Sequence, residues 1–155
     1  MNHIPRTDFE IVALELFRST ATDLGHTPIT GQGVLNRISL DQGVFFQFGD
    51  LRVETPSRHV IVEVESAGGI TNLVKYWLII SSGRVGKPIF LLHLFRIDTD
   101  YSWVSHRRVW AFLYPRMHAE LAPRFEAKLF TYRDGDLFHE ALEEFRRVLQ
   151  PPDVA

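Results

Sequence analysis

An α/β fold is predicted, on three observations. Two stretches carry apolar residues at helical spacing, the first opened by a capping pattern. Between them, residues 50–65 alternate as a strand hairpin does. Beyond the second helix, residues 89–95 (Ile-Phe-Leu-Leu-His-Leu-Phe) are almost unbroken apolar sequence, as expected of a strand buried on both faces and paired in parallel across a helix crossover. The expected order is helix, three antiparallel strands, helix, parallel strand, followed by an additional helix, strand and helix.

Thr7-Asp8-Phe9-Glu10 fits the capping box, in which Thr serves one orphan amide and the Glu three residues on serves another, so the first helix starts there. Phe9, Val12, Ala13, Leu16 and Phe17 keep the helical period, and Gly25 stands where a C-terminal cap would. Residues 26–37 are polar and glycine-containing and read as a loop. Strands are expected at 35–40 and 44–48 around the turn chemistry of Asp41-Gln42-Gly43. Gly49 then either admits Asp50 to the start of a strand or forms a hairpin turn with it. The hairpin 50–65 turns at Pro56-Ser57-Arg58, and its second strand places Glu63 and Glu65 on one face and Val60, Val62 and Val64 on the other.

A helix over 70–81, with Leu73, Val74, Trp77, Leu78 and Ile80 largely buried, ends at Gly83, Gly86 and Pro88. Residues 105–121 suit a helix interrupted at Pro115, residues 126–132 a strand, and residues 136–149 a last amphipathic helix. In that helix Phe138, Leu142, Phe145 and Leu149 face inward, and Glu143 pairs with Arg147 four residues on.

Length and composition bound the function. A chain of 155 residues, 45% of them apolar, is one domain with material for a single core. It has no Cys, which excludes disulfides and thiolate chemistry. No apolar segment follows Met1-Asn2-His3-Ile4-Pro5-Arg6, so a cytoplasmic location is the expectation. Apolar runs such as residues 76–80 are far too short to span a bilayer. A formal net charge of -2 argues weakly against a nucleic-acid binder. The distribution argues the other way: residues 75–116 carry Lys75, Arg84, Lys87, Arg96, Arg107, Arg108 and Arg116 against Asp98 and Asp100. That local excess would draw phosphates toward an acidic pocket, although charge runs are more often plain solvated faces.

Asp50, Glu63 and Glu65 offer the hard oxygen donors that Mg²⁺ prefers. Taken alone, Glu63-x-Glu65 reads as a half-buried antiparallel strand with a polar outer face, and it is Asp50 and the element order that point to a site. Other patterns carry less. Seven His show no pair at zinc-ligand spacing, so His93, His106 and His118 read as core or surface residues. The stretch Gly83-Arg84-Val85-Gly86-Lys87-Pro88 is too short for a phosphate loop and lacks Ser or Thr after its Lys. The three Trp read as core residues, with Trp103 beside Arg107 and Arg108 also placed to stack a base.

With these residues, positions 40–97 resemble the PD-(D/E)xK nuclease superfamily, whose pattern is an Asp opening one strand, an acidic-x-Lys triplet on the next, and a helix. Asp50 falls on the Asp position, Glu63 on the acidic position and Glu65 where Lys is usual. Some members carry Glu there, and others move the Lys to the following helix, where Lys75 would serve. Asn72 and Tyr76 match the Gln-x-x-x-Tyr element of some exonuclease branches, with Asn for Gln. In several branches the first helix lends an acid, here Glu10 or Glu15.

The resemblance implies a restriction-endonuclease-like core and Mg²⁺- or Mn²⁺-dependent hydrolysis of phosphodiester bonds in DNA. Asp50 and Glu63 would be metal ligands, with the backbone of Val64 completing the sphere. Glu65 would ligate or orient water, and Lys75 would stabilise developing charge. Substrate would meet Asn72, Tyr76, Arg84, Lys87, Arg107 and Arg108. A homodimer stays open, and no membrane partner is expected. Two alternatives remain: a catalytically silent module of the same fold that binds nucleic acid or a protein, and an unrelated α/β fold with a small-molecule pocket.

Overall fold

The structure is a computed structural model that describes residues 8–31, 33–66, 69–97 and 102–151, with the side chains of Asp8, Ser102 and Trp103 outside the description. Its elements in chain order are α1 (Asp8–Asp23), β1 (Ile29–Thr30), a 3-10 turn (Val34–Asn36), β2 (Arg37–Ser39), β3 (Phe45–Gln47), β4 (Leu51–Glu54), β5 (His59–Glu65), α2 (Thr71–Ser81), β6 (Ile89–Arg96), α3 (Ser102–Leu121), β7 (Phe125–Tyr132) and α4 (His139–Leu149). Thr7, and with it the capping box, lies outside the described residues, as does the side chain of Trp103.

A five-stranded mixed sheet, in the order β1-β4-β5-β6-β7, forms the middle layer. The strand β4 runs antiparallel to β1 and to β5, whereas β6 runs parallel to β5 and to β7. Helices cover both faces. Val60, Val62 and Val64 of β5 and Leu92 and Leu94 of β6 face α1 and α4, packing on Phe17, Phe138 and Phe145. Ile61, Leu91 and Phe95 face α2 and α3, packing with Leu73, Ile79, Trp110 and Met117. This two-sided burial explains why β6 reads as an unbroken apolar run. It also places β5, flanked by β4 and β6, at the centre of the molecule. Among the described residues no helix is long and apolar enough to cross a membrane.

Several expectations need correction. The segment read as a loop over 26–37 contains β1, which is the edge strand of the main sheet. The strands expected at 35–40 and 44–48 are shorter and pair only with each other as β2 and β3, outside the main sheet. The three antiparallel strands are therefore β1, β4 and β5. Two residues are too few to show a period, which hid β1. Pro115 lies inside a continuous α3. Ala111, four residues earlier, is exposed, so water can serve the carbonyl that the missing Pro115 N–H leaves unpaired.

Within the helices, Val12 is exposed, as are Val74 and Leu78, while Tyr76 and Ile79 take the inward positions of α2. The helix α4 starts at His139 because Phe138 caps it in the left-handed region (φ 56°), its N–H donating to Asp136 Oδ1 at 2.8 Å. Its inward residues are those expected. Arg147 pairs with Glu144, three residues away, rather than with Glu143; Glu144 also receives Lys128 of β7, and that second cation favours it.

Candidate active site

Gly49 ends the hairpin segment with φ 85°, a conformation that costs a side-chain-bearing residue about 1–2 kcal/mol. A Cβ there would also overlap Ile61 Cγ2. The bend is held by its carbonyl, which accepts Asn36 Nδ2 at 2.9 Å and Gln47 Nε2 at 2.8 Å. Asp50 emerges from this bend just ahead of β4, and its N–H donates to the Val62 carbonyl at 3.1 Å, extending the ladder by one rung. Its carboxylate turns toward the end of β5, where Oδ2 accepts the Val64 N–H at 2.9 Å.

Glu63 and Glu65 follow on β5 and point toward α2 and α3. Both are buried, at 2% and 9% exposure, so the reading of a polar outer strand face does not hold. Glu63 Oε1 accepts Lys75 Nζ at 2.8 Å and the Tyr76 hydroxyl at 2.6 Å, both from α2. Ion-pair geometry and proton affinity pull in opposite directions here. Burial first, then the charge of Asp50, raise the Glu63 pKa to about 8, outweighing Lys75 and Tyr76, which lower it. Desolvation of a carboxylate in a dry interior is a larger effect than one partly buried cation can offset. The same burial and the Glu63 charge raise the Tyr76 pKa, so its hydroxyl stays a donor.

Glu65 is fixed from two sides. Its Oε1 accepts Asn72 Nδ2 from α2 and lies 3.1 Å from His93 Nε2 on β6. The indole N–H of Trp110 donates to His93 Nδ1 at 3.2 Å. Because an indole can only donate, Nδ1 must be the unprotonated nitrogen, which puts the ring proton on Nε2, facing Glu65. Complete burial lowers the His93 pKa to about 3 and keeps the ring neutral. The chain Trp110 to His93 to Glu65 therefore aims a donor at the carboxylate. Burial again leads in raising the Glu65 pKa to about 8, with Asn72 opposing and Asp50 and Glu10 adding.

The residues selected from sequence fall into two groups. Asp50, Glu63, Glu65, Lys75, Asn72 and Tyr76 gather at the carboxyl end of β5. Glu10 stands close enough for its charge to act on Glu65 and Tyr132. Glu15 pairs with Arg18 and lines a cavity of about 270 Å³ together with Asp50. The others lie elsewhere. Lys87 donates to Glu54 and to the Thr55 carbonyl near the opposite end of β5, and Arg84 pairs with Asp41 of the β2–β3 turn. Arg107 and Arg108 are exposed on α3.

The Val64 N–H is committed to Asp50, which leaves that residue only a carbonyl to offer a metal. Among the described residues, no three His, Asp or Glu are grouped so as to hold a metal ion. His93 and Trp110, read from sequence as core or surface and as core, are buried residues that also orient Glu65; the only sequence signal was a polar residue within an apolar strand. Comparison with protein-family models, with curated proteins and with solved structures returns no match.

Proposed function

We propose that the chain is a metal-dependent nuclease acting on DNA, built on a restriction-endonuclease-like core. The observation that carries this reading is the burial of Glu63 and Glu65 beside Asp50 at one end of the central strand, with Lys75 the cation bound to Glu63. Carboxylates are rarely buried unless a cation or a chemical task retains them. The lysine usual on the strand is replaced by Glu65, and Lys75 reaches Glu63 from the next helix at 2.8 Å.

The donor set suits Mg²⁺ or Mn²⁺. Asp50 and Glu63 supply hard oxygens, and Mg²⁺ is commonly held by one or two carboxylates, its shell completed by waters and substrate phosphate. When bound, such an ion lowers the pKa of a ligated water and offsets charge on the attacked phosphate. Lys75 Nζ, already beside Glu63, would hold a phosphate oxygen. Glu65, oriented by His93 and Asn72, would align the attacking water and accept its proton. The exposed Arg107 and Arg108 would draw the strand.

One observation favours a silent, nucleic-acid-binding module of the same fold: Glu63 and Glu65 already hold protein donors. Incubation of the purified protein with plasmid and labelled single- and double-stranded DNA, with Mg²⁺ or Mn²⁺, separates the two. Cleavage that disappears in Asp50→Asn and in Glu63→Gln, with melting intact, supports the nuclease. Absence of cleavage on every substrate supports the silent module, and cleavage unchanged in both variants places the site elsewhere.

A further inference from the structure

A second polar site lies at the other end of β5. His59 opens that strand on the same face as Glu63, four residues earlier, or about 13 Å at the usual strand rise. The residue is buried, with 9% exposure, and its ring packs on Phe48 with centroids 4.8 Å apart. Its backbone N–H is committed to the Pro88 carbonyl at 2.8 Å. Among the described residues, His59 Nδ1 is the buried side-chain polar atom without a hydrogen-bond partner. Such atoms are uncommon, because leaving one unmet forfeits its hydration, and they call for a ligand or water to meet them.

His59 stands in the wall of a cavity of about 450 Å³ between the β2–β3 hairpin and the loop that follows α2. Arg37, Arg52 and Arg84 line the cavity, and among the described residues no carboxylate does. The guanidinium groups are supported from their surroundings. Arg52, itself buried, donates to the Leu35 carbonyl at 2.6 Å and to Asn36 Oδ1 at 3.3 Å, and lies 4.8 Å from the Phe48 ring centre. Arg37 lies 4.2 Å over the Phe45 ring, and Arg84 is held by Asp41 at 2.7 Å. The nearby acids stand outside the lining: Asp41 on Arg84, and Glu54, which is 3.6 Å from Arg52 and is shared with Lys87.

The geometry points to a binding site for a phosphate-class oxyanion in this cavity, with Arg37, Arg52 and Arg84 as its charge partners and the His59 ring in its wall. Guanidinium forks match phosphate oxygens through paired donors, which a bound oxyanion would share with Asp41 on Arg84 and Glu54 near Arg52. A cavity of this volume is also in the range of ligand pockets rather than that of a lone ion. The site does not rest on the nuclease reading, since nothing in it depends on Glu63.

The phosphate group could belong to a small phosphorylated compound or to a nucleic-acid strand. A ¹H–¹⁵N NMR titration of the metal-free protein, at ionic strength fixed with sodium chloride, separates them, using inorganic phosphate first and a short single-stranded oligonucleotide second. Phosphate should give saturable shifts at the His59 amide and at the Nε–H signals of Arg37, Arg52 and Arg84. Arg84→Gln should weaken binding about tenfold, the loss expected for one charge-assisted contact. His59→Phe, with no nitrogen to leave unmet, should melt higher than the wild type without ligand. Arg84→Gln changes an exposed residue and keeps the test decisive if His59→Phe fails to fold. An oligonucleotide that displaces phosphate at lower concentration identifies a strand, and a response to phosphate alone identifies a small compound. Shifts that do not saturate, or that are the same in Arg84→Gln as in wild type, overturn the site. With metal absent and Glu63 untouched, that failure would leave the acidic cluster's role standing.

Discussion

At the residue scale, the feature that most constrains the chemistry is the orientation of Glu65 by His93 and Trp110. Trp110→Phe keeps the ring packing but removes the donor to His93 Nδ1, leaving a buried acceptor unmet at a cost of about 1–3 kcal/mol. The expected outcome is a modest fall in melting temperature together with loss of the single Nε2–H tautomer. ¹⁵N NMR of the His93 ring reads this directly, and an unchanged tautomer would show that Trp110 does not set it. That Glu63 and Glu65 share one face was legible in the sequence because strand alternation places side chains without knowledge of the tertiary fold; Asp50, ahead of β4, stayed open between a strand start and a turn. The role of His93 was not legible, because it arises from β5 and β6 lying side by side, a pairing across 28 residues or more that no local pattern records.

At the element scale, β5 is the strand on which both sites are built, and its two ends are shaped by glycines and turns. Gly49→Ala combines a positive φ with overlap on Ile61, so it should lower stability by more than about 1 kcal/mol, or about 2–4 °C in melting temperature for a domain of this size. Gly69→Ala differs in kind. It carries the same positive-φ penalty (φ 101°), but its Cβ would meet the Glu65 side chain itself, so this change should disturb the carboxylate as well as the fold. Melting curves set beside cleavage or metal response distinguish the two; a metal response in Gly69→Ala equal to that in Gly49→Ala would contradict the assignment. The elements read correctly from sequence are those with a long, consistent pattern: α2, β6, β7 and the inward face of α4. The short ones were misplaced, because β1 is defined by its partner β4 and the β2–β3 hairpin by its separation from the sheet, and neither fact is local.

At the scale of the whole molecule, the buried titratable groups shape the pH dependence of stability. Glu63 and Glu65 are each raised from 4.5 to about 8, so each favours the folded state fully below pH 4.5 and loses that contribution as pH rises toward 8. His93 and His59 are lowered from 6.5 to about 3 and about 4, so each favours the folded state above 6.5 and loses that contribution as pH falls toward 3 to 4. Between 4.5 and 6.5 the two pairs of slopes oppose each other. The metal-free protein should therefore be most stable in that window and lose stability on both sides, as melting curves from pH 3 to 9 would record. A stability that keeps rising to pH 8 would mean that the carboxylates are ionised without a metal. The most direct test of the central claim, that Asp50 and Glu63 hold a divalent cation, is the melting temperature at pH 8 with and without saturating Mn²⁺. At about 100 times its dissociation constant a bound ion contributes roughly 2.7 kcal/mol, or about 5–10 °C here. Wild type should gain that much; Glu63→Gln should start higher without metal, relieved of a buried charge, and gain little. Equal melting of the two proteins, with and without Mn²⁺, would contradict a metal site at Glu63.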